Sequence, residues 1–299
     1  MSYVVSLENS TVYELLLSLL LYKRRKNLKY LYKGSDWVEK VNEKMSDSFK
    51  NKLDGWEDLS FGEVVCLFIE KCPHKQDVDS FLEWFENLPL AASYELLTPH
   101  LRKEDSHLLL DLENQKKLYS YLLTEWNRQY FKFEDVGRTM TNERNRYEKK
   151  MGKVSSEQLV EDFATGLKVE IPSINHVVLV PSIHFQPLHT FSVFKEKMFV
   201  WYPVQNEESR DKVYSISKAL SDEKRLDILQ LLSQDKHKFT DILKEVGGTK
   251  GNLHHHIMIL RSANLIRVHL TNQNQFYLST RRGFVSELNT KLKGLINII

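Results

Sequence analysis

The stretch Thr249-Lys250-Gly251-Asn252-Leu253-His254-His255-His256-Ile257-Met258-Ile259-Leu260-Arg261-Ser262-Ala263-Asn264-Leu265-Ile266-Arg267-Val268-His269-Leu270 decides how this chain is read. Leu253, Ile257 and Leu260 recur at steps of three and four, which places them on one face of a helix from Lys250 to about Ser262. Lys250, Gly251, Asn252, His254 and His255 fall mostly off that face. Thr249 is positioned to cap the helix start, because its hydroxyl accepts from first-turn amides that lack a carbonyl partner. Asn264 is positioned to end it, since asparagine tolerates the left-handed backbone better than other residues with a side chain. Beyond it, Ile266–Leu270 and Gln275–Leu278 alternate in polarity around the polar segment Thr271-Asn272-Gln273-Asn274. This pattern predicts a β-hairpin.

Upstream of the helix, Gly247-Gly248 marks a sharp turn. A short helix is expected before it, opening at Thr240 as cap and running to Val246. Earlier still, Ala219-Leu220-Ser221-Asp222 leads into a helix whose apolar face carries Leu226, Leu229 and Leu232, with Ile228 and Leu231 beside them. Helix, turn, helix and hairpin in this order form a winged helix-turn-helix, the arrangement that presents one helix to the DNA major groove. In that reading Thr249, Lys250 and the free amides of the helix start suit phosphate oxygens. Asn252 offers paired hydrogen bonds to adenine, and His254 or His255 donates to base edges or phosphates. Gly251 permits close backbone approach. Arg261 adds a cation, and Arg267, Asn272 and Gln273 are placed for the wing to rest on the backbone or minor groove.

The run Ala219-Leu220-Ser221-Asp222-Glu223-Lys224-Arg225-Leu226-Asp227-Ile228-Leu229 resembles the opening of an ArsR-type regulator. His254 to Ile266 is similar to that family's recognition helix and exit turn, with Asn264 in place of the usual glycine. The resemblance covers about residues 212–280. It implies a homodimer binding a partly palindromic double-stranded DNA operator, usually as a repressor that responds to a small-molecule effector. Metal-sensing members carry a cysteine motif where this chain has Phe239-Thr240-Asp241-Ile242-Leu243, so metal sensing there is not expected. More loosely, Tyr13–Leu19 and the proline-rich region after Glu170 resemble the N-terminal extension of a Gram-positive subset of such regulators.

Charge divides the chain in the same place. From Arg210 onward 15 Lys and Arg stand against 8 Asp and Glu, whereas 27 stand against 32 before it. No acid occurs between Glu245 and Glu287. A basic module joined to an acidic partner points to a polyanion met by the C-terminal part alone.

The N-terminal region reads as mainly helical. Thr11-Val12-Tyr13-Glu14 has the form of a reciprocal cap before Leu15, Leu16, Leu19 and Leu20. Further helices are expected around Trp37–Asp47, Phe61–Lys71, Val78–Glu86 and Asn114–Tyr130, and residues 137–153 as an exposed helix or connector. Val169–Pro172 and Asn175–Pro181 read as strands, and Phe191–Phe194 with Met198–Tyr202 as two more around Lys195-Glu196-Lys197. The expected fold is therefore mainly α with small β elements, an α+β protein. It comprises an N-terminal regulatory or dimerisation domain over 1–205 and the reader, with a C-terminal amphipathic helix, over 210–299. Phe284, Leu288, Leu292 and Leu295 form an apolar stripe on that last helix, read as a dimer contact.

Several chemistries are not expected. The apolar run Leu15–Leu21 is too short for a bilayer, which needs about 20 residues. With Cys66 and Cys72 as the only cysteines, a reducing, cytoplasmic setting is expected. Three consecutive histidines project about 100° apart on a helix and do not converge on one ion. His176, His184 and His189 read as ordinary strand and loop residues. No phosphate loop, nucleophile elbow or paired catalytic carboxylate occurs, so no cofactor and no enzyme activity are expected. The alternatives carried forward are a winged-helix adaptor that binds proteins, and an enzyme with chemistry in the N-terminal region.

Overall fold

The computed structural model describes residues 3–204, 209–272 and 275–297. It is an α+β protein, mainly helical with two small sheets. The helical body consists of α1 (Thr11–Lys23), a 3-10 turn at Arg25–Tyr30, α2 (Asp36–Lys44), α3 (Asp47–Asp54) and α4 (Phe61–Lys71). It continues with α5 (Val78–Asn87), α6 (Leu90–Leu97), α7 (Leu112–Gln129), α8 (Gly137–Lys150) and α9 (Ser156–Phe163).

Helix α1 is the hub. Every residue from Val12 to Tyr22 is buried, which explains why its leucines run without a polar stripe. It packs against α4, α5 and α7. Its two buried polar residues, Glu14 and Ser18, are each used inside the core. Ser18 Oγ accepts from Trp126 Nε1 at 2.9 Å. The expected reciprocal cap is not formed: Ser10 caps the helix by accepting from Val12 N at 3.1 Å. Glu14 instead points inward, where its Oε1 accepts from the amides of Ile183 and His184 and from His184 Nδ1 at 2.6–2.9 Å.

Strands β1 (Val4–Leu7), β3 (His176–Ser182), β4 (Thr190–Val193) and β5 (Lys197–Pro203) form a sheet in the order β1-β3-β5-β4, while β2 (Leu167–Val169) lies elsewhere. The hairpin expected around residues 195–197 is present as the antiparallel pair β4 and β5. The parallel strand β1 was not expected, because four residues at the chain start carry almost no periodicity. Alternation on β3 and β5 divides two cores: Val178, Val180, Phe199 and Trp201 face the helical body, and Val177, Leu179, Met198 and Val200 face the other side.

That second side carries the C-terminal module: α10 (Ser209–Leu220), α11 (Glu223–Gln234), α12 (Phe239–Val246), α13 (Lys250–Ser262), β6 (Ile266–Leu270), β7 (Phe276–Thr280) and α14 (Phe284–Leu295). Helix α12 begins one residue before Thr240, and the carboxylate of Asp241 accepts from Lys238 N at 3.2 Å. The expected hairpin is present as the antiparallel pair β6 and β7, with Val268 opposite Leu278. It gains a third strand, because β2 pairs in parallel with β6. Phe163, Leu167 and Val169 therefore share one apolar core with Ile228, Leu260 and Val268. The regions 1–205 and 210–299 thus share a sheet and a core. Among the described residues, no helix is long and apolar enough to cross a membrane.

Candidate nucleic-acid interface

The path into α13 is set by backbone chemistry. Gly247 and Gly248 adopt φ values of 74° and 95°, which lets the chain reverse in two residues. Thr249 Oγ1 then accepts from Asn252 N at 3.2 Å, as expected of the cap. Leu253, Ile257 and Leu260 are buried in the module's own core. Asn264, at φ 57°, ends the helix in the left-handed region. Thr249, Lys250, Gly251, Asn252 and His254 are exposed, so the first turn presents a hydroxyl, an ammonium group, bare backbone and an amide to solvent. Nothing lies within 4 Å of the place a Cβ would occupy on Gly251.

The rest of the helix behaves differently. His255 Nδ1 lies 3.0 Å from the hydroxyl of Tyr30, in the 3-10 turn of the helical body. Met258 is buried in that body's core. Arg261 folds back, with one terminal nitrogen donating weakly to the carbonyl of His189 at 3.4 Å and its Nε enclosed without a partner. Burial brings the Arg261 guanidinium down to about 10, and burial with Arg261 nearby brings His189 down to about 3. Burial, followed by neighbouring cations that include Lys29, also lowers His254 and His255 below the ordinary histidine value. Of the residues expected to meet DNA, His255 and Arg261 are therefore engaged inside the protein.

At the wing, Arg267 pairs with Glu161 of α9 at 3.1 Å and is likewise engaged. Asn272 is exposed, and Gln273 lies outside the described residues. His256 is the packed histidine of the three, 3.6 Å from Asp222, whose carboxylate caps α11. Among the described residues, no group of three or more His, Cys, Asp or Glu side chains is arranged to hold a metal ion. Tyr30 and Lys29 escaped sequence reading because 225 residues separate Tyr30 from His255, and His189, which reads as an ordinary strand or loop residue, gave no sign of its contact with Arg261.

A glycine-turned third helix, a preceding helix pair and a following hairpin define a winged helix-turn-helix module. Residues 222–268 match the family model of the bacterial regulatory proteins of the arsR family, and this segment is an ArsR-type helix-turn-helix. The chain is also similar to the crystal structure of NolR from Sinorhizobium fredii, at 23% identity over 29% of this chain and 87% of that one, with a TM-score of 0.25. A second similar structure is a possible transcriptional regulatory protein (fragment 1–100) from Mycobacterium bovis, at 22% identity over 31% and 99% of the two chains, with a TM-score of 0.25. No curated protein matches the chain.

Proposed function

We propose that this protein is a cytoplasmic, non-enzymatic transcriptional regulator that binds double-stranded DNA through α13, acts as a homodimeric repressor and answers to a small-molecule effector. The observation that carries the reading is the capped, solvent-open first turn of α13, with Lys250, Asn252 and His254 exposed on an ArsR-type module. The basic balance after Arg210 supports contact with a polyanion.

The dimer reading draws on α14. Phe284 and Leu288 pack inward, while Val285, Leu292, Leu295 and Ile296 stay exposed beside α10, on which Tyr214 is also exposed. Two copies joined by this edge would cover apolar surface and set two reading helices on one duplex. The helical body, which has no counterpart in the matched segment, is the natural place for effector response.

The test is selection of host genomic fragments on the purified protein, followed by affinity measurements at rising salt. A regulator enriches discrete sites and loses affinity steeply with salt, as counterions are released. No enrichment at low salt removes the reading. Affinity indifferent to changes at Lys250, Asn252 and His254 would favour the protein-binding adaptor.

A further inference from the structure

We propose that the cleft between the Arg25–Tyr30 turn, α10 and α13 is the effector site, and that it takes a planar aromatic anion. Its occupant holds the helical body against the reading face of α13 and keeps that face from DNA. The gating half rests on α13 being the reading helix.

On α13, Leu253, Ile257 and Leu260 point into the module, so the opposite face belongs to Gly251, His255, Met258 and Ser262. A helix in the major groove presents that outward face. Here only Gly251 is open: His255 bonds Tyr30, Met258 is buried in the helical body, and Ser262 lines the cleft. Beyond the first turn, docking of the helical body and docking of a duplex exclude each other.

The docked arrangement is also incompletely satisfied. Arg261 Nε and His189 Nε2 are enclosed with no partner, and the bond joining these residues is 3.4 Å long. A partly buried cation held this weakly gains from release toward a phosphate.

What stabilises it is left to the cleft. Its volume is about 790 Å³, ample for a small ring compound. Tyr30, Tyr32 and Tyr214 supply flat walls. Lys29 and Lys218 have no carboxylate within ion-pair distance among the described residues, and each ammonium lies 5.1–6.0 Å from a tyrosine ring. Asp211 is the one acid among the lining residues, so the cleft favours an anion carried on an aromatic ring. Lys29 belongs to the helical body and Lys218 to α10, so a compound bridging them recognises only the docked arrangement. Differential affinity of this kind shifts the population toward that arrangement, and by reciprocity DNA weakens the compound.

The experiment uses the full chain, 1-naphthoate as probe and neutral 1-naphthamide as control. Calorimetry is expected to show naphthoate binding, with the amide at least about tenfold weaker, and with binding lost in the Lys29→Ala/Lys218→Ala double variant at unchanged melting temperature. Naphthoate should lower affinity for a selected DNA fragment about tenfold, and Tyr30→Phe, which removes the bond to His255, should raise DNA affinity without probe. Failure of naphthoate to bind, equal binding of the amide, or DNA affinity that ignores bound naphthoate overturns the proposal. A protein that binds naphthoate in this pattern but no DNA in any variant supports the site and overturns the regulator reading, so the two failures are distinguishable.

Discussion

Lys250 and Asn252 sit two residues apart on the open turn of α13, yet their chemistry separates what each substitution should do. Lys250→Ala is expected to weaken binding to every DNA alike and to reduce the salt slope by about one, because an ammonium reads phosphate and not sequence. Asn252→Ala should cost about 1–3 kcal/mol at one base position and relax the preference there. Equal losses on specific and random DNA for both would refute the assignment. Glu14 poses a different residue-scale question. Burial acts to raise its pKa, but the hydrogen bonds from His184 and the amides of residues 183–184 outweigh it, and the carboxyl lies below its ordinary value. Glu14→Ala would leave these enclosed donors unpaired and should destabilise the fold by about 3–5 kcal/mol in denaturant unfolding. A smaller loss than about 1 kcal/mol would mean that water reaches the site.

At the scale of elements, the contact between α13 and the helical body should be acid-sensitive. His189 is buried and neutral, with its value brought from 6.5 to about 3 by burial and then by Arg261. Above pH 6.5 neither folded nor unfolded chain holds this proton, so there is no penalty. Below it the unfolded chain binds a proton that the folded chain refuses, and stability declines until about pH 3. Melting temperature should thus fall between about pH 7.5 and 5.5, and His189→Gln should shrink the difference; an unchanged pH dependence in the variant would assign it to other groups. The pairing of β2 with β6 offers a second check. Gly166 has φ +82°, and a Cβ there would lie 2.9 Å from the carbonyl oxygen of Ile266. Gly166→Ala should cost about 2 kcal/mol, through strain and through parting the wing sheet from its third strand.

For the whole molecule, the proposed dimer would be held by the exposed apolar edge of α14. Leu292→Glu should convert a dimer seen by light scattering into a monomer and lower operator affinity, since a half-site is then bound alone. A dimer that survives would place the interface elsewhere. This scale also shows where sequence reading reached its limit. The cap at Thr249, the glycine turn, the left-handed Asn264 and the hairpin were legible, because each depends on neighbours within a few residues. The fates of His255, Arg261 and Arg267 were not, because Tyr30, His189 and Glu161 lie far along the chain.

Local periodicity and capping chemistry were thus enough to determine a mainly helical α+β chain with a winged reader near its end. Only the tertiary structure decided that β2 joins the wing sheet, that Glu14 turns inward to His184, and that His255 and Met258 on the outward face of α13 rest on the helical body. The reason is physical: backbone amides and side-chain spacing act over one or two helical turns, whereas burial is settled by which distant surfaces exclude water together.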